Sequence, residues 1–169
     1  MMIPVERNFL ELRDLKNLKV NPINERKFSI KKVKPDFQLN KFFYKQVGKN
    51  HRWLDRLSWS DKKWINFISN ENLETYVISS SEDLVGFFEL IYNPKLKEIE
   101  ISYFGLLEEY IGKGIGGYAL SEAIKRSFEK NIKRVWLHTC TLDHPNALKN
   151  YIARGMTVFK KENINVLDS

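Results

Sequence analysis

The chemistry-bearing residues of this chain are densest between Phe104 and Leu120. There an apolar strand passes Glu108 and Glu109 and runs through Gly112, Gly114, Gly116 and Gly117 into a helix. Half of the eight glycines fall in those six positions, so the local backbone is under a constraint that the rest of the chain is not. Glycine permits positive φ and has no Cβ to obstruct a close ligand. A helix that starts directly after such a run aims unpaired N–H groups and the positive end of its dipole at the loop, which suits a phosphate. These residues predict a diphosphate cradle, with a plain tight turn as the alternative. A P-loop would need Lys-Ser/Thr after its last glycine, and Tyr118-Ala119 follows instead. A dinucleotide fingerprint would sit on an early strand with an acid about 20 residues further on. Here the loop comes late and the next strand ends in His138-Thr139-Cys140-Thr141, so that reading also fails.

Other residues could act beside the cradle. Glu89 follows Gly86-Phe87-Phe88 in an apolar strand, where it could meet a substrate amine. Three of the four tryptophans fall between 53 and 64. Trp53, Arg56 and Trp59 could line a substrate pocket, with Arg56 meeting a carboxylate, or could simply form a packed helical corner. His138, His144 and Cys140 invite a metal or nucleophile reading, but there is no second cysteine and no partner at ligand spacing. A structural histidine, an inert thiol and no metal are expected.

The elements that would position these groups can be read from periodicity. Residues 8–12 suggest a short edge strand, followed by a polar connection through Glu25. Strands are expected at 28–33, 75–79, 85–92, 98–104, 134–140 and 156–160. The second, third and fourth of these, joined by short links, read as an antiparallel meander. Glu100, Ser102, Phe104 and Leu106 should then share one face of their strand. Helices are expected from Asp36 to about Val47, from Ser60 to about Ser69, from the glycine loop to about Asn131, and from Asp143-His144-Pro145 to Gly155.

Composition narrows the class. The 169 residues suit one domain over 1–169, with 43% hydrophobic and 29% charged residues, an ordinary globular balance. No apolar run approaches the roughly 20 residues of a membrane span. The N-terminus shows no signal-peptide pattern, and a single cysteine fits a reducing, cytoplasmic setting. The net charge of +7 favours anionic ligands, but lysines and arginines are scattered from Arg7 to Lys161, so a solvated surface is expected and not a nucleic-acid site.

Taken in order, these features resemble the GNAT acetyltransferase superfamily, best over residues 85–160. The family's pyrophosphate motif, Gln/Arg-x-x-Gly-x-Gly/Ala, is matched by Ile111-Gly112-Lys113-Gly114-Ile115-Gly116, with Ile111 in place of the polar first residue. A second motif, Ala-x-x-x-Tyr-x-x-x-Gly-Phe, is matched by Ala147, Tyr151 and Gly155, with Met156 for Phe and His144 where an Asn is usual. The resemblance implies an α/β fold of the α+β kind, a mostly antiparallel sheet flanked by helices and splayed between the family's fourth and fifth strands. Acetyl-coenzyme A would lie in that gap, its pantetheine along Phe104 to Leu106 and its diphosphate on Ile111, Gly112, Lys113, Gly114, Ile115, Gly116 and Gly117, with His144 and Tyr151 nearby. By the same resemblance Tyr151 is the general acid and Glu100 the base, with Glu89 and Glu98 as rival bases. The implied activity is direct acetyl transfer to a primary amine of a small molecule, with homodimerisation an option and no membrane or nucleic-acid partner. The alternative is a coenzyme-binding or regulatory protein with weak catalysis.

Overall fold

In the computed structural model, residues 1–23 and 27–167 are described. Among them seven strands and four α-helices follow one another: β1 Met2–Leu12, β2 Ser29–Lys32, α1 Phe37–Gly48, α2 Asp61–Ile68, β3 Leu73–Ser80, β4 Asp83–Asn93, β5 Glu98–Leu106, α3 Ile115–Ser127, β6 Arg134–Cys140, α4 Ala147–Ala153 and β7 Thr157–Leu167. They build one mixed sheet in the order β2-β3-β4-β5-β6-β1-β7. Every neighbouring pair is antiparallel except β5 and β6, which run parallel and are joined through α3.

Some of the sequence expectations change. The stretch at 8–12 is not a short edge strand but the end of an eleven-residue strand placed inside the sheet, between β6 and β7. Its core positions, Val5, Asn8, Leu10 and Leu12, are interrupted by Glu6 and Arg7, which hid the alternation. The last strand is also longer than 156–160, because its polar half pairs with β1 from Met2↔Leu167 to Glu11↔Thr157. The expected connection through Glu25 lies partly outside the described residues, at 24–26. The last helix starts at Ala147, after Pro145, and not at Asp143.

Two apolar layers hold the sheet. On one face α3 buries Ala119, Leu120, Ala123 and Ile124 against Leu10, Ile78, Phe88, Ile99 and Leu137. On the other, Phe43 and Val47 of α1 pack on Val77 and Phe87, with the Phe43 and Phe87 rings stacked at 5.0 Å. Asp36 caps α1 by accepting from the N–H groups of Gln38 and Leu39, and Ser60 caps α2 by accepting from Lys63. Gly105 lets α1 approach β5, since a Cβ there would run into Val47 Cγ1.

A charged pair pins the α1–α2 connection to the sheet. Arg56 Nη1 lies 2.8 and 3.0 Å from the two carboxylate oxygens of Glu89, a residue with 0% exposure. Asn40 of α1 donates to Glu89 Oε2 at 3.2 Å and to Thr75 Oγ1 at 3.0 Å. The guanidinium is enclosed by rings, with Phe67 at 4.2 Å, Tyr103 at 4.4 Å and Trp59 at 5.0 Å. Cation–π contact and hydrogen bonds offset the desolvation of both charges. Removing one partner strands the other charge, at a cost of about 3–5 kcal/mol. Arg56→Met should therefore lower the unfolding free energy by that order in urea titrations, and Arg56→Met/Glu89→Leu should recover most of the loss. Equal destabilisation by the single and double variants would show that the pair is not the cause.

Candidate active site

The site begins where β5 and β6 part. Their parallel pairing covers only Glu98–Glu100 against Arg134–Trp136. Arg134 clamps this closed end, donating through Nε to Glu98 at 2.8 Å and through Nη1 to Glu11 at 2.9 Å, so three strands are tied at one point. Beyond Glu100 the two strands separate, and β5 keeps a ladder partner on its β4 side only. A bulge drives the separation. Across β4, Glu89 faces Tyr103 and Leu90 faces Ile101, which leaves Ser102 as the extra residue.

The bulge also breaks the expected alternation. Ile99, Ile101, Phe104 and Leu106 pack on the α3 side, while Tyr103 packs on the α1 side. Glu100, between Ile99 and Ile101, therefore points to the α1 side and does not share a face with Phe104 and Leu106.

Between the parted strands lies a cleft of about 1080 Å³. Its lining includes Gly112, Gly114, Gly116 and Gly117, the β5 run Glu100–Leu106, Tyr151, and the Trp53, Arg56 and Trp59 cluster. Gly112 and Gly114 have φ of 83° and 79°, the left-handed region in which only glycine is unstrained. Gly114 is the N-cap of α3 and makes no side-chain cap, so the first N–H groups of the helix are free for a ligand. Arg154 reaches the same loop, its Nη1 lying where a Cβ on Gly117 would be, and its Nε is buried with no hydrogen-bond partner.

Most of the anticipated residues meet here. Phe104, Leu106, Ile111, the four glycines, His144, Tyr151, Glu100, Trp53, Arg56 and Trp59 all line the cleft. Others do not. Lys113 is exposed, with Nζ 5.8 Å from the Tyr110 ring, and Ile115 is buried in the α3-side core. Glu98 is held by Arg134 at the closed end. Glu89 is absent from the lining and fully buried; Arg56 is in the lining, but its Nη1 is committed to Glu89. Burial pushes the Glu89 carboxyl up, opposed by the Arg56 charge and by donors including Asn40.

Burial acts on the groups that could move protons. It is the largest influence on Glu100 and raises its carboxyl; the Glu89 charge adds to this and Arg56 opposes it. Burial also raises the Tyr151 hydroxyl, with the Asp143 charge adding to the effect. The Cys140 thiol is likewise pushed up, chiefly by burial, which keeps it protonated and a poor nucleophile.

Some residues of the site carried no signal in the sequence. Asp143 accepts from Thr139 Oγ1 at 2.5 Å, from the Cys140 N–H at 2.9 Å and from Trp53 Nε1 at 3.4 Å, tying the β6–α4 loop to the α1–α2 connection. His51 stacks edge-on against His144 at 5.7 Å. Asn21, from the segment after β1, donates to the Gly114 carbonyl at 3.2 Å. Among the described residues no helix is long and apolar enough to cross a membrane, and no group of three or more His, Cys, Asp or Glu is placed to hold a metal.

The acetyltransferase (GNAT) family pattern matches residues 37–156. Among solved structures, a GCN5-related N-acetyltransferase from Sphaerobacter thermophilus superposes with TM-score 0.72 at 16% identity, over 97% of this chain and 52% of that one. One from Kribbella flavida gives 0.65 at 15% identity, over 97% and 58%. An aminoglycoside acetyltransferase from an uncultured soil metagenomic sample gives 0.63 at 12%, over 77% and 88%. This chain thus spans little more than half the length of the first two, and at these identities the likeness is one of fold. A search of curated proteins finds no sequence match. With 37–156 covering most of its length, the chain belongs to the GNAT acetyltransferase family.

Proposed function

We propose that the chain transfers an acetyl group directly from acetyl-coenzyme A to a primary amine of a small molecule. The observation that carries this reading is the parting of β5 and β6, which leaves one edge of β5 without a ladder partner and leads it straight into an uncapped, glycine-started helix. An extended pantetheine could pair with that edge as an added strand. The diphosphate would take the free N–H groups at the start of α3 and the unpartnered Nε of Arg154, so the residues present fit the coenzyme. Backbone donors need no particular side chain at the first motif position, which makes Ile111 compatible with binding.

The coenzyme supplies a thioester carbonyl. The chain's own residues must supply a proton acceptor for the amine, a proton for the departing sulfur, and a cleft that excludes water. Glu100 is the proposed base, because it lines the cleft and is raised by burial toward the pH at which an amine is to be deprotonated. Glu89 fits that task less well, since Arg56 and Asn40 occupy its oxygens and it does not reach the cleft. Tyr151 is the proposed acid; a hydroxyl with a raised pKa stays protonated at working pH and can donate to sulfur. A protonated Cys140 offers no covalent route, which favours transfer within a ternary complex.

Calorimetric titration of acetyl-coenzyme A, followed by thiol release with a panel of amines, tests the reading. Saturable binding with amine-dependent thiol release is expected. Binding without release from any amine would leave a coenzyme-binding protein, and absence of binding would overturn the reading. Tyr151→Phe should lower kcat by about 10²-fold or more while the Kd for acetyl-coenzyme A changes little; near-normal kcat would remove Tyr151 as the acid. The pH profile tests the base. Only the carboxylate form of Glu100 accepts a proton, and a raised pKa means that this form is lost at a higher pH. The acidic limb of kcat/KM should thus lie above the ordinary glutamate value of about 4.3 and disappear in Glu100→Gln, where kcat/KM drops by about 10²-fold or more. An unaltered limb in that variant would exclude Glu100.

A further inference from the structure

The cleft continues past Glu100 and Tyr151 onto the β6–β1–β7 part of the sheet, where Val5, Arg7, His138, Ile164 and Val166 line it. Side-chain direction follows from the register. Leu10 and Leu12 belong to the α3-side core, together with Val135 and Leu137 of β6. Val5, Arg7 and Phe9 alternate with the buried Asn8 and Leu10 and face the other way. That is the side to which Glu100 points. Most of this lining is apolar, and Arg7 is the fixed positive charge within it.

Arg7 differs from guanidinium groups elsewhere in the chain that are held in ion pairs. Arg56, Arg126 and Arg134 meet carboxylates at 2.8, 2.6 and 2.8 Å. Arg7 sits directly across from Glu162 on β7 and Cys140 on β6, yet Glu162 is taken by Lys160 at 2.8 Å. The Nε of Arg7 is buried and has no hydrogen-bond partner. Its charge is felt at His138, Cys140 and Glu162, which places it among the cleft groups. A buried donor left unmet is costly unless something occupies the site. The same signature occurs at Arg154, beside the glycine loop where an anion is expected. Arg7 and Arg154 thus each bring a guanidinium with a buried, unmet Nε to the cleft, Arg154 on the diphosphate side and Arg7 on the acceptor side.

We infer that the acceptor is an amine that also carries a carboxylate, and that Arg7 receives the carboxylate while the amine lies at Glu100. This rests on the acetyl-transfer reading and deepens it. The carboxylate-binding role that the sequence suggested for Arg56 passes to Arg7, because Glu89 already meets the Arg56 charge. A carboxylate matches a planar guanidinium through two parallel N–H···O bonds and brings one negative charge to a site with one positive charge. Val5 and Ile164, paired two positions beyond Arg7 and Glu162, would border the carboxylate and lower the effective dielectric around the pair.

The test compares matched acceptors: β-alanine, 5-aminovalerate and phenylalanine, each against its carboxamide. With acetyl-coenzyme A and the full chain, at least one acid should exceed its amide by roughly tenfold to a hundredfold in kcat/KM, the effect of an unmet charged hydrogen bond. In Arg7→Gln that ratio should collapse toward one, and in Arg7→Lys it should be partly restored. Lys161→Gln, which removes an exposed charge paired with Glu6, should keep the ratio and so separate a local contact from general charge attraction. A ratio near one for all three pairs, or a ratio that survives Arg7→Gln, overturns the inference even if the enzyme is active. Absence of thiol release from every amine would instead overturn the acetyl-transfer reading. Calorimetric titration of the same pairs into the wild-type and Arg7→Gln proteins then still decides the carboxylate site, since binding that discriminates acid from amide and depends on Arg7 supports it and equal binding refutes it.

Discussion

Everything in this molecule that bears on function depends on two parallel strands that stay together for three residues and then part. The parting needs a fixed closed end and a reason to diverge. Arg134 fixes the closed end by holding Glu98 on one side and Glu11 on the other. Ser102, the unmatched residue of the β4–β5 ladder, bends β5 away just beyond it. A sheet interior normally cannot expose a strand edge without leaving backbone groups unsatisfied. Here the exposed edge lines a cleft, where water or an extended ligand can satisfy it. The same bulge turns Tyr103 toward α1 and leaves Phe104 and Leu106 on the α3 side, so one inserted residue both opens the cleft and sorts its walls.

The buried Arg56–Glu89 pair shapes the cleft from below. Two charges that are out of solvent contribute little net stability, and replacing both with apolar groups of similar volume is often neutral. Their value here is positional. The pair, with Asn40, ties the connection that carries Trp53 and Trp59 to β4, and Asp143 ties the β6–α4 loop to Trp53 in turn. Through these links the two walls of the cleft are held at a set separation by hydrogen bonds and not by apolar packing alone. Because Glu89 is spent on Arg56, Glu100 is left as the β5 acid with access to the cleft, and Arg7 brings a buried, unmet Nε to its side of the sheet.

What could be read in the sequence was local. The glycines at 112 and 114 are demanded by backbone angles within the loop itself, and the cap of α1 at Asp36 by N–H groups two and three residues away. Tyr151 and the glycine loop were accessible for the same reason, as short motifs on one helix and one turn. The long-range pairings were not. β1 finds its partners at Cys140 and Glu162, more than a hundred residues onward, and Glu6-Arg7-Asn8 gave no apolar alternation to reveal a strand there. The bulge at Ser102 leaves no mark in a strand whose residues all favour β structure, so the alternation drawn from Glu100 to Leu106 slipped by one. The commitment of Arg56 to Glu89 was invisible because the two are 33 positions apart and each alone resembles a substrate contact.

One physical cause serves both of the proton transfers proposed for this site. Burial disfavours the charged form of any acid, so it raises Glu100 and Tyr151 alike. For a carboxylate that must take a proton from an ammonium, a higher pKa means a stronger base, provided that it stays below the working pH. For a phenol that must keep its proton until sulfur departs, a higher pKa means that the acid form is present throughout that range. The neighbouring charges add to each effect, with Glu89 pushing Glu100 up and Asp143 pushing Tyr151 up. A cleft that buries both groups would thus prepare base and acid together. The limit is set by Arg56, whose charge opposes the rise at Glu100. The same guanidinium that holds the cleft wall in place therefore also acts on the proposed base, favouring the charged form that can accept a proton.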